Sequence, residues 1–239
     1  KKNNLHVVNY SYPIKKKIYF KELKKNLHFR KDLTNAIPYV TSYYKKNWGF
    51  CISKNFYDEI SKNKKKFNVV IKSNFKKSSL NYGQIFIRGK SKKEILFSTY
   101  LCHPSMANNE LSGPVVMTKL ANFIKKKNNY YSYRFLYLPE TIGSIAFLSK
   151  NYKSLKNNLL GGFVITCVGD NKKFSYIPTA YGNTFTDRIA IKTFKDMKIK
   201  FLNFSYLERG SDERQYNWPG IDLPVASITR SKYGNYKEY

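Results

Sequence analysis

The chain has 239 residues, with 44 Lys and Arg against 15 Asp and Glu, and a formal net charge of +29. A hydrophobic fraction of 42% suits a globular protein with one substantial core, or one domain and a smaller companion. The longest apolar runs fall short of the roughly 20 residues a membrane helix needs, which excludes a helical membrane protein.

The charge invites a nucleic-acid partner, but its pattern argues against a specific one. Lys is enriched together with Asn, Tyr, Phe and Ile, all served by A/T-rich codons, while Arg, the better phosphate and guanine ligand, is scarce. The basic residues are scattered (Lys15–Lys17, Lys64–Lys66, Lys125–Lys127) and no nucleic-acid-binding motif accompanies them. We expect compositional drift on solvated faces, with weak polyanion binding that salt removes. Cys51, Cys102 and Cys167 are odd in number and not in CxxC pairs. Two lie in apolar runs, so reduced, buried thiols in a cytoplasmic protein are expected.

Residues 1–76 read as a small β-rich unit. His6–Tyr12 alternates like a strand, Phe20–His28 suits a short helix, and Trp48–Ser53 and Phe67–Ser73 suit further strands. From residue 77 strands and helices alternate. Strands are predicted over Tyr82–Arg88, Glu94–Leu101, Tyr133–Leu138, Gly162–Val168, Phe201–Tyr206 and Pro224–Arg230. The first helix opens at Gly113-Pro114, with Val116, Leu120, Phe123 and Ile124 on one face. The second covers Thr141–Tyr152 and the third Thr184–Lys198, with Phe185, Ile189, Phe194 and Met197 inward. Near-continuous apolar strands separated by helices predict an α/β fold, a three-layer α/β/α sandwich over 77–239. The first residue is Lys, and Tyr239 follows a strand and turn directly, so an internal piece of a longer protein, truncated at its C-terminus, is expected.

Polar residues gather where strands end or helices open: Cys102-His103, Asn108-Asn109-Glu110, Glu140-Thr141 and Ser211-Asp212-Glu213-Arg214. In a parallel α/β sheet such segments converge on one rim. A histidine with carboxylates and amides is the equipment of a zinc hydrolase, in which a carboxylate outside the metal's ligand shell acts as base. Each residue also has a plainer reading: Glu140 or Glu110 as a helix cap, Asp170 as a turn residue, Asp212 with Arg214 as a structural ion pair.

The same words resemble a family. Glu94–His103 looks like the strand that delivers the first metal histidine in M28-type zinc aminopeptidases. Ala107–Gly113 is similar to their "GANDNASG" loop, Glu140–Gly143 to their "EExG" turn, and Ser211–Pro224 to their "SDHxxF…GIP" segment. The nearer match is the aminopeptidase-like branch with a small inserted β-rich domain. Its "YVTSYY…WGFC", "TYxCHPSxANNELSGPV", "PETIGS" and "GSDERQY" stand here nearly verbatim. The resemblance implies zinc, a peptide or amide-like substrate, and a bacterial link to polysaccharide gene clusters. It implies His103 and Glu110 as metal ligands, Glu140 as general base, and Asn109, Ser211, Asp212 and Arg214 about the substrate.

Departures from the family narrow this. Asn109 stands for the metal-bridging aspartate, Thr141 for the second metal glutamate, Ser105 for the aspartate that orients the histidine, and Thr166 for a later metal aspartate. One zinc is therefore expected, with a further histidine ligand just beyond Tyr239. A catalytically silent binding module on the same fold is the alternative, and a polyanion-binding protein a distant one.

Overall fold

The computed structural model describes residues 5–103 and 106–236. The chain divides after Ser78 into two compact units.

The first unit contains β1 (Leu5–Val7), β2 (Ile14–Ile18), α1 (Phe20–Leu23), β3 (Leu27–His28), β4 (Phe50–Ile52), α2 (Lys54–Ser61) and β5 (Phe67–Ile71). β4 lies between antiparallel β1 and parallel β3, and β2 pairs antiparallel with β5. Ile18, Leu23 and Val69 form its small core, with Trp48 and Phe50 against it. The helix expected over Phe20–His28 shrinks to α1 and a 3₁₀ turn, Lys24–Asn26, because Leu27-His28 is drawn into the sheet beside β4. α2 was not foreseen. Ser53 caps it by accepting a hydrogen bond from the Phe56 amide (3.1 Å).

The second unit is built on a seven-stranded mixed sheet. Its strands are β6 (Gly83–Ile87), β7 (Glu94–Tyr100), β8 (Ser132–Leu138), β9 (Leu159–Ile165), β10 (Phe174–Ile177), β11 (Phe201–Asn203) and β12 (Val225–Thr229). The spatial order is β11-β10-β12-β9-β7-β8-β6. The four central strands β12, β9, β7 and β8 run parallel, while β6 and β10 pair antiparallel with β8 and β12. The helices are α3 (Ser112–Lys125), α4 (Ile142–Asn158), α5 (Phe185–Asp196) and the short α6 (Glu213–Tyr216).

Side chains alternate across the strands, so each face has its own core. Leu96, Leu136, Leu138 and Val164 pack with Phe147, Leu148 and Leu155 of α4 and Tyr216 of α6. On the other face Phe135 and Ile165 meet Met117, Ala121 and Ile124 of α3, and Phe163 continues that layer toward Ala190 and Phe194 of α5. This is the three-layer α/β/α sandwich the strand–helix alternation predicts.

The route of the chain places the site. β7 leads through α3 to β8 on one side of it, and β8 returns through α4, on the opposite face, to β9 on the other side. The loops leaving β7 and β8 therefore open at a switch point in the sheet, where α/β folds leave a crevice.

Several details differ from expectation. β10 was not foreseen. β9 starts three residues earlier than the predicted strand because α4 continues to Asn158 and runs straight into it. Phe185, Ile189 and Met197 of the third helical segment are exposed rather than inward. α5 instead buries Thr186, Asp187, Ala190 and Phe194. The reason is Asp187. Its carboxylate accepts from Tyr176 Oη (2.8 Å), the Thr179 amide (2.9 Å) and hydroxyl (2.6 Å), and the Thr184 amide (2.9 Å) and hydroxyl (2.7 Å). That anchor sets the helix's rotation. Likewise α3 turns Gly113, Met117, Ala121 and Ile124 inward and leaves Val116 and Phe123 exposed. A Cβ on Gly113 would stand 2.3 Å from Thr99 Oγ1 and 2.4 Å from the Ile165 carbonyl oxygen, so the close approach of the helix selects small residues.

Candidate metal and catalytic site

β7 ends at Tyr100 and the chain bends at His103, so Cys102 and His103 leave the strict alternation of a strand. Ala107–Leu111 then forms one π-helical turn, closed by a hydrogen bond from the Ser112 amide to the Ala107 carbonyl, before α3 begins. This turn buries the adjacent side chains of Asn109 and Glu110. Its backbone is held from outside by Thr166, whose hydroxyl donates to the Asn109 carbonyl (2.9 Å). Asp170 accepts from Asn108 Nδ2 (3.0 Å) and from the amides of Lys172 (2.8 Å) and Ser231 (3.2 Å). Asp170 is thus the expected turn residue and a tie to the π-turn as well. Burial works against its charge, but these hydrogen bonds prevail and hold its pKa below the usual value.

Two acceptors converge on one nitrogen of His103. Asn109 Oδ1 lies 3.1 Å and Glu110 Oε1 3.3 Å from Nδ1. Nδ1 is thus flanked by two oxygen-bearing side chains, which leaves Nε2 as the nitrogen turned away from the π-turn. Nε2 faces Glu140 Oε2 at 3.8 Å. Glu110 Oε2 also accepts from the Cys102 amide. Burial, with the charge of Glu140 adding to it, pushes Glu110 up to about 7 against the pull of the His103 and Cys102 amides.

Glu140 ends the loop after β8, where the backbone is strained. Thr141 has φ +61° and ψ −66°, and the Ile142 amide donates to the Glu140 carbonyl (2.7 Å), a γ-turn of the rare positive-φ hand. Asp212 supports it from beneath. Its Oδ1 accepts from the Thr141 amide (2.7 Å) and Ser144 Oγ (3.0 Å). Asp212 is fully buried, which pushes its pKa up to about 7 despite those bonds. Ser211 Oγ donates to Glu140 Oε1 (3.0 Å). Burial raises Glu140 above the usual carboxylate range, against this hydrogen bond and the positive charge of Arg214.

The structure therefore brings His103, Glu110 and Glu140 together, with Ser211 on Glu140 and Asp212 behind Thr141. Asn109, Ser211 and Asp212 are all but completely buried, so their contacts are with protein. Ser105 lies outside the described residues.

Two participants, Cys102 and Glu213, were given no role from the sequence. Cys102 Sγ, a ring nitrogen of His103 and a carboxylate oxygen of Glu140 all lie within 4.8 Å of one another. Burial and the charges of Glu140 and Glu110 push the Cys102 thiol up to about 12. Glu213 accepts from the amides of Gly210 (2.9 Å) and Ser211 (3.1 Å) and from Tyr233 Oη (2.6 Å), fixing the loop that carries Ser211. Glu213 stands inside the GSDERQY word, which was its only signal. A cavity of about 340 Å³ opens beside the cluster, lined by Leu101, Cys102, His103, Met106, Ala107, Glu110 and Leu111.

The chain is thus an α/β/α sandwich that gathers a histidine, carboxylates and a thiol at its switch point. The chain belongs to the family described as "Domain of unknown function (DUF4910)", whose profile matches residues 6–239. It is 46% identical over 234 residues to a Clostridium acetobutylicum protein provisionally named a polysaccharide biosynthesis protein with aminopeptidase-like domain. That match covers 98% of this chain and 53% of the relative, so the chain spans about half the relative's length. A crystal structure from Clostridium acetobutylicum, provisionally called a peptidase, superposes with a TM-score of 0.92 at 45% identity, covering 98% of this chain and 55% of that one. A zinc aminopeptidase from Bacillus subtilis superposes with a TM-score of 0.60 at 13% identity, covering 89% of this chain and 55% of that one, which speaks for the shared fold alone. Among the described residues no helix is long and apolar enough to cross a membrane.

Proposed function

We propose that this chain is the core of a zinc-dependent aminopeptidase-like hydrolase that cleaves a peptide or amide bond. The observation that carries the reading is the orientation of His103, with Nδ1 bounded by two acceptors and Nε2 turned toward Glu140. The residues fit zinc. The Cys102 sulfur and a His103 ring nitrogen, both donors that zinc accepts, stand within 4.8 Å of each other, and a Glu140 oxygen lies within the same distance to act as base on a bound water. One ion per chain is expected. Bound zinc supplies a Lewis acid that polarises the scissile carbonyl and lowers the pKa of the attacking water.

The protein's own groups do the rest. His103 would hold the metal through a ring nitrogen, Nε2 being the one turned toward Glu140. Glu110 and Asn109 act from the Nδ1 side, fixing the ring and its tautomer as outer-shell partners do; Glu110 is assigned this role in place of direct ligation. Glu140 takes the proton from water at Oε2 and returns it to the leaving amine, while Ser211 holds Oε1. Asp212 and Glu213 set the loops that carry Glu140 and Ser211. The charge of Arg214 acts on Glu140 and is offered to the substrate. The apolar side chains of Leu101, Met106, Ala107 and Leu111 that line the cavity receive a substrate side chain. The relative's name suggests an amide made or trimmed in polysaccharide assembly, and residues 1–76 are assigned as the inserted accessory domain.

The test is hydrolysis of a panel of aminoacyl anilides and amides by the full-length gene product. Glu140→Gln is expected to lower turnover by about 10²- to 10⁴-fold while substrate binding persists. Unchanged turnover in Glu140→Gln or His103→Ala refutes the assignment. Asn109 and Thr141, neutral where the resemblance expects metal carboxylates, favour a second reading, a silent binding module. Ligand binding with neither hydrolysis nor metal would establish it.

A further inference from the structure

We infer that Cys102 is a metal ligand, completing with His103 a sulfur–nitrogen pair at the end of β7. This rests on the zinc reading above and adds a donor to it. Neighbouring residues on a strand point to opposite faces, so adjacent side chains converge only where a strand has ended. That happens here, since β7 stops at Tyr100 and the chain bends at His103. The Cys102 backbone is held by Glu110 Oε2, while Glu110 Oε1 approaches the His103 ring, so one buried carboxylate orients both donors.

The spacing suits a shared ion. Two ligands of a tetrahedral zinc, at about 2.3 Å for sulfur and about 2.0 Å for nitrogen, stand roughly 3.5 Å apart. The donors lie within 4.8 Å, so a side-chain shift of about 1.3 Å at most closes the set. Charge points the same way. Asp212 and Glu213 are buried, each with one carboxylate oxygen that makes no hydrogen bond, and the buried Glu110 and mostly buried Glu140 face His103 at its two nitrogens. A buried cluster of this sign is stable with a cation in it. On ligation the thiol gives its proton to solvent and keeps the electron pair for the metal.

Cys51 and Cys167 are buried and Cys102 is partly exposed, so alkylation reads Cys102 selectively. In the metal-stripped full-length protein, prolonged exposure to iodoacetamide at alkaline pH, where part of this raised thiol ionises, should label Cys102, as mapped by peptide mass. Stoichiometric zinc should suppress that labelling at least tenfold, and His103→Ala should abolish the protection. Titration with Co²⁺ should give a thiolate-to-cobalt charge-transfer band that Cys102→Ser lacks. The labelling uses the unaltered chain, so it does not depend on how Cys102→Ser folds. One zinc bound with no protection and no such band overturns the ligation of Cys102 and leaves the zinc reading standing. No metal bound overturns both.

Discussion

Replacing Asp212 by Asn tests the support beneath Glu140 through its pH dependence. Asp212 is fully buried, and burial raises it to about 7 in the fold, against about 3.9 in an unfolded chain. For an acid with a raised folded pKa the folded state prefers the protonated form. The destabilisation is therefore absent below the unfolded pKa, grows as pH rises toward about 7, and is constant above it. Between pH 4.5 and 8.5 this one group should lower stability by about 3 kcal/mol. Asp212→Asn keeps an oxygen for the Thr141 amide and Ser144 Oγ and removes the titration. It places an amide NH₂ where Oδ2 makes no hydrogen bond, at a pH-independent cost of about 1–3 kcal/mol. The variant should be the less stable protein at pH 4.5, and the gap should move in its favour by about 3 kcal/mol at pH 8.5. Urea denaturation of metal-stripped protein, followed by circular dichroism at the two pH values, measures the gap. A gap that stays constant within about 0.5 kcal/mol would falsify the reasoning, because Asp212 would then titrate alike in both states.

Two further outcomes concern the scaffold. Asp187→Ala removes an acceptor of five hydrogen bonds and strands the buried Tyr176 hydroxyl and Thr179 amide, so it should cost about 3–5 kcal/mol in chemical denaturation; a loss under about 1 kcal/mol would remove it as the anchor of α5. Burial opposes the charge of Asp187 but these bonds prevail and depress its pKa, so its contribution is present above the unfolded value and lost as acid titrates through the folded one. Gly113→Ala forces a methyl group against Thr99 and the Ile165 carbonyl and should lower stability by about 1–3 kcal/mol, read as a fall in Tm. An unchanged Tm would show that α3 can back away from the sheet.

The parts of the fold that were legible in sequence are those where burial is uniform. β7, β8 and β12 are covered on both faces, so their apolar runs announced them, and the polar residues at the ends of β7 and β8 marked the rim. β10 was missed because Phe174–Ile177 is four residues long and directly precedes Pro178. α2 was missed because its face toward the small core is only partly buried and its sequence reads as a polar loop. The helical phases of α3 and α5 were misjudged for a common reason. Hydrophobic periodicity assumes that the largest apolar residues choose the inward face, whereas here Gly113 and Asp187 choose it. In the site, His103 and Glu140 were visible from their words. Cys102 was hidden by its apolar neighbours, and the division of labour around His103 required knowing which nitrogen each acceptor approaches.

The π-turn at Ala107–Leu111 has a consequence for how this region tolerates change. An α-helical turn closes with one residue fewer, and the extra residue is what lets Asn109 and Glu110 reach the same imidazole. Deleting Ala107, Asn108 or Leu111 should restore regular helix and swing that pair off the ring, even with both side chains kept. Substitutions at Ala107, Asn108 or Leu111 leave that pair in place, but the length of the stretch cannot drift. Insertions and deletions, rather than point changes, are thus the events to which this corner of the molecule is most vulnerable.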